Sequence, residues 1–208
     1  MEKLVEILDD AYGRNVPIFL EEILDACPDV TADGTYRRIR RAVADGDLVK
    51  RERGVYYLPT RTSLGTSEIT DDAVLGKRYI SHGDDVYGYV TGLVLENRAG
   101  ISQQVPGTLE IATNGESTRS GRLGRRGGGR EVILRRPRCK VTPENVAALE
   151  ALDLVTAAQL ESLEEYELAN LCERVRAVPR QVLLACLESY PAKTAKKLLE
   201  SELYVISS

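Results

Sequence analysis

TADGTYRRIRRAVADGDLVKRERGVYYLP, residues 31–59, decides the fold of the N-terminal third of the chain. A cation-studded helical pattern there runs directly into a short basic hairpin pattern. Either Thr31 or Asp33 can cap the helix, and residues then advance by about 100° each around its axis. With Arg37 at 0°, Arg41 falls at about 40°, Arg38 at about 100° and Arg40 at about 300°, while Ile39, Val43 and Tyr36 lie between roughly 200° and 260°. The spacing predicts four arginines on one face and a narrow apolar stripe, Tyr36 included, on the other. Gly46 stands where a left-handed C-terminal cap belongs. Leu48–Arg51, a turn at Glu52–Gly54 and Val55–Leu58 then read as a hairpin closed by Pro59, with Lys50, Arg51 and Arg53 around its tip.

Upstream, Leu4, Val5, Leu8 and Ala11 recur at helical spacing, and Pro17 is placed to open a second helix carrying Phe19, Leu20, Ile23 and Leu24. Three helices followed by a basic ribbon predict a winged helix-turn-helix domain over residues 1–65. In such a domain the third helix lies in the major groove of duplex DNA and the ribbon touches the backbone. The expected contacts are Thr35, Arg37, Arg38, Arg40 and Arg41 from the helix and Lys50, Arg51 and Arg53 from the ribbon.

The 208 residues carry a net charge of −4 and a hydrophobic content of 43%, ordinary for a chain of two domains. The mean charge hides segregation. Residues 119–140, RSGRLGRRGGGREVILRRPRCK, hold nine cations against the single acid Glu131, whereas the segments on either side are acidic. Three consecutive glycines at 127–129 exclude a regular helix there. Arg119, Arg122, Arg125, Arg126, Arg130, Arg135, Arg136 and Arg138 are therefore candidates for a second polyanion-binding surface, for DNA or RNA, or else form a solvated hairpin tip.

Between these basic stretches, Asp71–Ser81 reads as a helix, Val86–Asn97 as a helix ended by Gly100, and Ile101–Val105 and Thr108–Thr113 as strands. Asn114-Gly115 is a turn signal, and Val132–Leu134 is a further strand. Residues 66–140 are thus expected to form a mixed α+β domain with a small antiparallel sheet. From Thr142 to Leu203 apolar residues recur at helical spacing, punctuated by Pro179 and Pro191. This acidic helical tail, 141–208, is free to pack on the sheet, to form a homodimer contact or to hold a partner. The expected class is α+β throughout.

Cys27, Cys139, Cys172 and Cys186 are too far apart for a CxxC pair, and His82 has no companion to complete a zinc set, so no metal or cofactor is expected. Reduced thiols, no cleavable signal and no long apolar run point to a cytoplasmic protein without a membrane partner. His82 beside Asp84 and Asp85 has the elements of a general base, but nothing nearby supplies a nucleophile. The glycine run lacks the GxxxxGK(S/T) order of a phosphate-binding loop. No enzyme is expected.

Two stretches carry a family resemblance. One is Gly46-Asp47-Leu48-Val49 through Arg53-Gly54-Val55-Tyr56-Tyr57-Leu58-Pro59-Thr60. The other is Gly88-Tyr89-Val90-Thr91-Gly92-Leu93, leading to Ala99-Gly100-Ile101-Ser102-Gln103-Gln104-Val105-Pro106. Over roughly residues 1–140 the order of parts resembles the AbiEi antitoxins of type IV toxin–antitoxin (abortive infection) systems. That resemblance implies a transcriptional repressor that binds double-stranded operator DNA in its own promoter. It also implies a second domain that antagonises a cognate nucleotidyltransferase toxin. Two other functions remain open: a toxin-sequestering protein-binding module with subordinate DNA binding, and an RNA-binding protein acting through 119–140.

Overall fold

The computed structural model describes residues 3–63, 65–104, 106–119, 121–125 and 131–200, with the backbone alone at 122–125 and 200. The chain is mixed α+β and divides into two compact units, Met1–Lys77 and Arg78–Ser208. Residues 66–77, expected beyond a boundary near Gly65, therefore belong with the first unit.

The first unit runs α1 (Leu4–Tyr12), β1 (Ile18–Phe19), α2 (Leu20–Asp25), α3 (Ala32–Ala44), β2 (Val49–Glu52), β3 (Val55–Tyr57), β4 (Arg61–Thr62) and β5 (Gly65–Thr66), and then enters α4 (Asp71–Tyr79). β1, β3 and β2 form an antiparallel sheet in that order, with Ile18 opposite Tyr56 and Val49 opposite Tyr57. Ile18 and Phe19 are thus strand rather than helix, contrary to the reading of Pro17 as a helix start. Their backbone is taken by β3, and α2 starts only at Leu20. Thr31 caps α3, its hydroxyl accepting from the Gly34 N–H at 3.2 Å. Leu8, Ile18, Ile23, Ile39, Leu48 and Leu58 close the core beneath the helices and sheet. Each such side chain contributes about 1.5–3 kcal/mol when fully buried.

One buried ion pair ties α4, up to Lys77, to this unit. Lys77 Nζ lies 2.7 Å from Glu22 Oε1 and donates to the Pro17 carbonyl at 2.8 Å, with the two side chains only 8% and 14% exposed. The ammonium also sits 5.3 Å from the ring centres of both Tyr12 and Phe19. Glu22 in turn accepts the Phe19 N–H at 2.6 Å, which satisfies an orphan donor at the start of α2.

The second unit contains β6 (Ser81–His82), β7 (Asp85–Val86), β8 (Gly88–Thr91), α5 (Leu93–Arg98), β9 (Thr108–Thr113), β10 (Arg122–Arg125), β11 (Glu131–Arg135), α6 (Val146–Ala157), a 3-10 turn at Leu160–Ser162, α7 (Glu165–Arg176), α8 (Arg180–Leu187) and α9 (Ala192–Glu200). The larger sheet has the order β10-β11-β9-β8. It is not purely antiparallel as expected, because β9 and β11 run parallel. The chain reverses direction at β10 and again at β11, and two reversals restore the direction of β9.

Residues 88–91, read from sequence as part of a helix, are a fully buried strand. A Cβ on Gly88 would lie 2.0 Å from the Tyr79 carbonyl oxygen and 2.7 Å from that of Ala112, so only glycine fits between them. Gly92, at φ 66°, then turns the chain into α5. Residues 101–104 form a loop instead of the expected strand: the Asn97 side-chain amide donates to the Ser102 and Gln104 carbonyls at 3.2 and 3.1 Å. Val105 and residues 201–208 of the tail lie outside the described residues. The helices after Thr142 gather around α6, which packs against β8, α7, α8 and α9 and buries Ala148, Leu149, Ala151, Leu152, Leu154 and Val155. Among the described residues no helix is long and apolar enough to cross a membrane.

Replacing Lys77 by Ala strands the Glu22 carboxylate in a site it cannot leave, and is expected to destabilise the first unit by about 3–5 kcal/mol. The Lys77→Met/Glu22→Gln double variant removes both charges and should recover most of that loss. Hydrogen exchange at the paired amides of β1 and β3 reads the effect in this unit alone; equal protection in Lys77→Ala and wild type would contradict it.

Candidate nucleic-acid interface

The face that α3 presents is set by what it buries. Thr35, Ile39 and Ala42 point into the core, a stripe rotated by about 60° from the one expected from sequence. Two corrections follow. Tyr36, expected inside, is 38% exposed, and Val43 is 36% exposed. Thr35, expected to touch DNA, is completely buried, and its hydroxyl is unsatisfied. The outward surface of α3 is thus Tyr36, Arg37, Arg40, Arg41, Val43 and Ala44, with Arg38 half-buried at its edge. Arg41 faces Asp45 one turn on at a loose 3.8 Å, with its side chain 87% exposed. So open a pair adds little to stability, and water competes for both partners.

The hairpin of β2 and β3 follows, turning at Arg53-Gly54 with Gly54 at φ 77°. Lys50 and Arg53 are exposed. Arg51 is committed elsewhere: its guanidinium donates to Asp71 at 2.8 Å, and this bond, then the charge of Asp71, raises its pKa. The register between β2 and β3 slips between Lys50 and Glu52. Lys50 and Arg53 remain available to a ligand; Arg51 instead ties the hairpin to α4.

The basic segment of the second unit is likewise divided. Arg135 donates to Glu110 at 2.7 Å. Arg138 faces Asp153 at 4.0 Å and stacks 4.7 Å from the Tyr190 ring centre. Asp153 already accepts from Tyr89 at 2.9 Å, Thr91 at 2.7 Å and Tyr190 at 2.8 Å. Burial, then the charge of Asp153, raises the pKa of both tyrosines, so they stay hydroxyl donors. Arg135 and Arg138 therefore do not belong to a free polyanion-binding surface as expected. Arg119 and Arg136 are exposed. Arg122 and Arg125 lie on β10, while Arg126 and Arg130, with Gly127–Gly129, fall outside the described residues. Among the described residues, no His, Cys, Asp and Glu group could hold a metal ion.

No family model and no curated protein matches the chain. Five cations, Arg37, Arg40, Arg41, Lys50 and Arg53, are exposed on α3 and the hairpin that follows it. Tyr36 and Val43, which sequence reasoning missed as surface residues, stand among them on α3.

Replacing Thr35 by Val exchanges a buried, unsatisfied hydroxyl for a methyl of equal volume. It is expected to stabilise the first unit by about 1 kcal/mol while leaving any ligand of the α3 face bound as before. Loss of binding in a stable Thr35→Val variant would return Thr35 to the interface.

Proposed function

We propose that the protein is a DNA-binding transcriptional repressor of the antitoxin type, with residues 1 to about 77 acting as a winged helix-turn-helix domain. The supporting observation is the coincidence of an outward arginine face on α3 with exposed cations on the next hairpin, in the order α1, β1, α2, α3, β2, β3. On this reading α3 enters the major groove. Arg37, Arg40 and Arg41 divide between phosphates and guanine edges, and Lys50 and Arg53 hold the backbone through the hairpin. Tyr36 and Val43 supply apolar contact to thymine methyl groups. The resemblance to AbiEi antitoxins extends the proposal to autoregulation of the protein's own operon and antagonism of a nucleotidyltransferase toxin. The engagement of Arg135 and Arg138 with carboxylates weighs against RNA binding as the main function.

Each neutralised phosphate contributes about 0.9 to the log–log salt slope. Five exposed cations predict a slope of roughly −4 to −5 per protomer on duplex DNA from the region upstream of the coding sequence. Arg37→Ala, Arg40→Ala and Arg53→Ala should each flatten the slope by about one unit when they lose a phosphate contact; Arg51→Ala should leave it in place. Fluorescence anisotropy against ionic strength checks this, and a slope near zero for the wild-type chain would end the DNA reading.

A further inference from the structure

The second unit encloses a cleft of about 270 Å³ between the end of β8, α5, β9, the segment after β11 and α6. Its size is just below the roughly 300–1,000 Å³ of sites for drug-sized ligands, so it suits a metabolite. The cleft wall is polar chemistry of two kinds. Some groups are used up: Glu110 holds Arg135, and Asp153 holds three hydroxyls and faces Arg138. Others are not. The half-buried Glu96 carboxylate from α5 has no hydrogen-bond or ion-pair partner among the described residues. Burial first, and then the charge of Glu110, raises its pKa, the response of a carboxylate without a counter-charge. The Arg119 and Arg136 guanidinium groups, which also line the cleft, are exposed and likewise unpartnered among the described residues.

A half-buried acceptor left open costs free energy in the empty protein. Here it shares a cleft with two open cations, and Leu95, Leu154 and Pro137 supply apolar wall between them. The geometry points to a binding site for a metabolite-sized anion that carries an N–H donor, its carboxylate or phosphate held by Arg119 and Arg136 and its amine or amide donating to Glu96. Asp153 is a positioning residue in this site. By fixing Tyr89, Thr91 and Tyr190, and with them β8 and α6, it holds the walls at a constant width. The fixed pairs Glu110–Arg135 and Asp153–Arg138 also remove two further cations from the cleft, so the site asks for one anionic group and one donor rather than for a polyanion. This site is independent of the DNA reading, since it lies wholly in the second unit.

α-Amino acids and nucleoside monophosphates both carry the required pair of groups. Ligand-observed saturation-transfer NMR on the full chain, with one pool of the twenty amino acids and another of the four ribonucleoside monophosphates, tells the two sources apart. The expected result is saturable binding from one pool, weakened at least ten-fold by Glu96→Gln and by Arg136→Ala. Glu96→Gln keeps the side-chain volume and removes a desolvated charge, so it should fold; Arg136 is exposed, and its truncation leaves the core untouched. Inorganic phosphate serves as the control for charge alone and should lose affinity only in Arg136→Ala. Silence from both pools, or a bound member that Glu96→Gln holds as tightly as wild type, overturns the site.

Discussion

Burial of Thr35, Ile39 and Ala42 on one side of α3 is the constraint on which the first unit's surface depends. A helix has a single rotational setting that satisfies its core. Turning α3 by one residue would expose Ile39 and carry an arginine toward Leu8 and Leu48, at a cost of several kcal/mol for an unpaired buried charge. The outward positions of Arg37, Arg40 and Arg41 follow from that apolar packing without any help from charge. The same setting forces Tyr36 and Val43 out among the arginines.

The cations fall into two groups that composition cannot separate. Lys77, Arg51, Arg135 and Arg138 face Glu22, Asp71, Glu110 and Asp153 respectively. Each links elements distant in the chain: α4 to α2, the β2–β3 hairpin to α4, β11 to β9, and the segment after β11 to α6. Arg37, Arg40, Lys50 and Arg53, by contrast, are exposed and have no such partner among the described residues. A charge inside a half-buried pair is costly to disturb, whereas an exposed one is held only weakly. Cations held in structural pairs are thereby told apart from exposed ones by their carboxylates rather than by their own type.

Much of the architecture was legible in the sequence. Capping by Thr31, the hairpin after Gly46, the end of α5 at Gly100, the strand at 108–113 and the breaks at Pro179 and Pro191 are all local signals, and local chemistry decides them. The misreadings came where a distant strand decides. Ile18 and Phe19 look helical until β3 pairs with them. Gly88–Thr91 has helical spacing until the carbonyls of Tyr79 and Ala112 close on Gly88. On α3, the six-residue arc from Tyr36 to Arg41 was right in its charge but misjudged in its rotation, because Thr35 and Ala42 are small enough to look neutral on a helical wheel. Arg51 and Arg135 were assigned to binding since their partners, Asp71 and Glu110, lie 20 and 25 residues away. Asp153 leaves a trace in the sequence: with Glu150 it is one of only two charged residues in the stretch Val146–Ala157.

The acids around α3 bear on how such a face would discriminate. Asp33 lies in its first turn, and Asp45 and Asp47 follow its last. They stand beside the arginines and reduce the local positive potential that draws any duplex. On the proposed DNA reading, phosphate attraction trimmed in this way would weaken binding to arbitrary DNA, and a larger share of the free energy at a preferred site would have to come from base edges and methyl groups. The exposed Tyr36 and Val43 lie on the same arc as Arg40, where on that reading they would supply that share. An acidic chain is therefore no argument against a DNA-reading helix: the surrounding carboxylates lower the background against which a few directed contacts are measured.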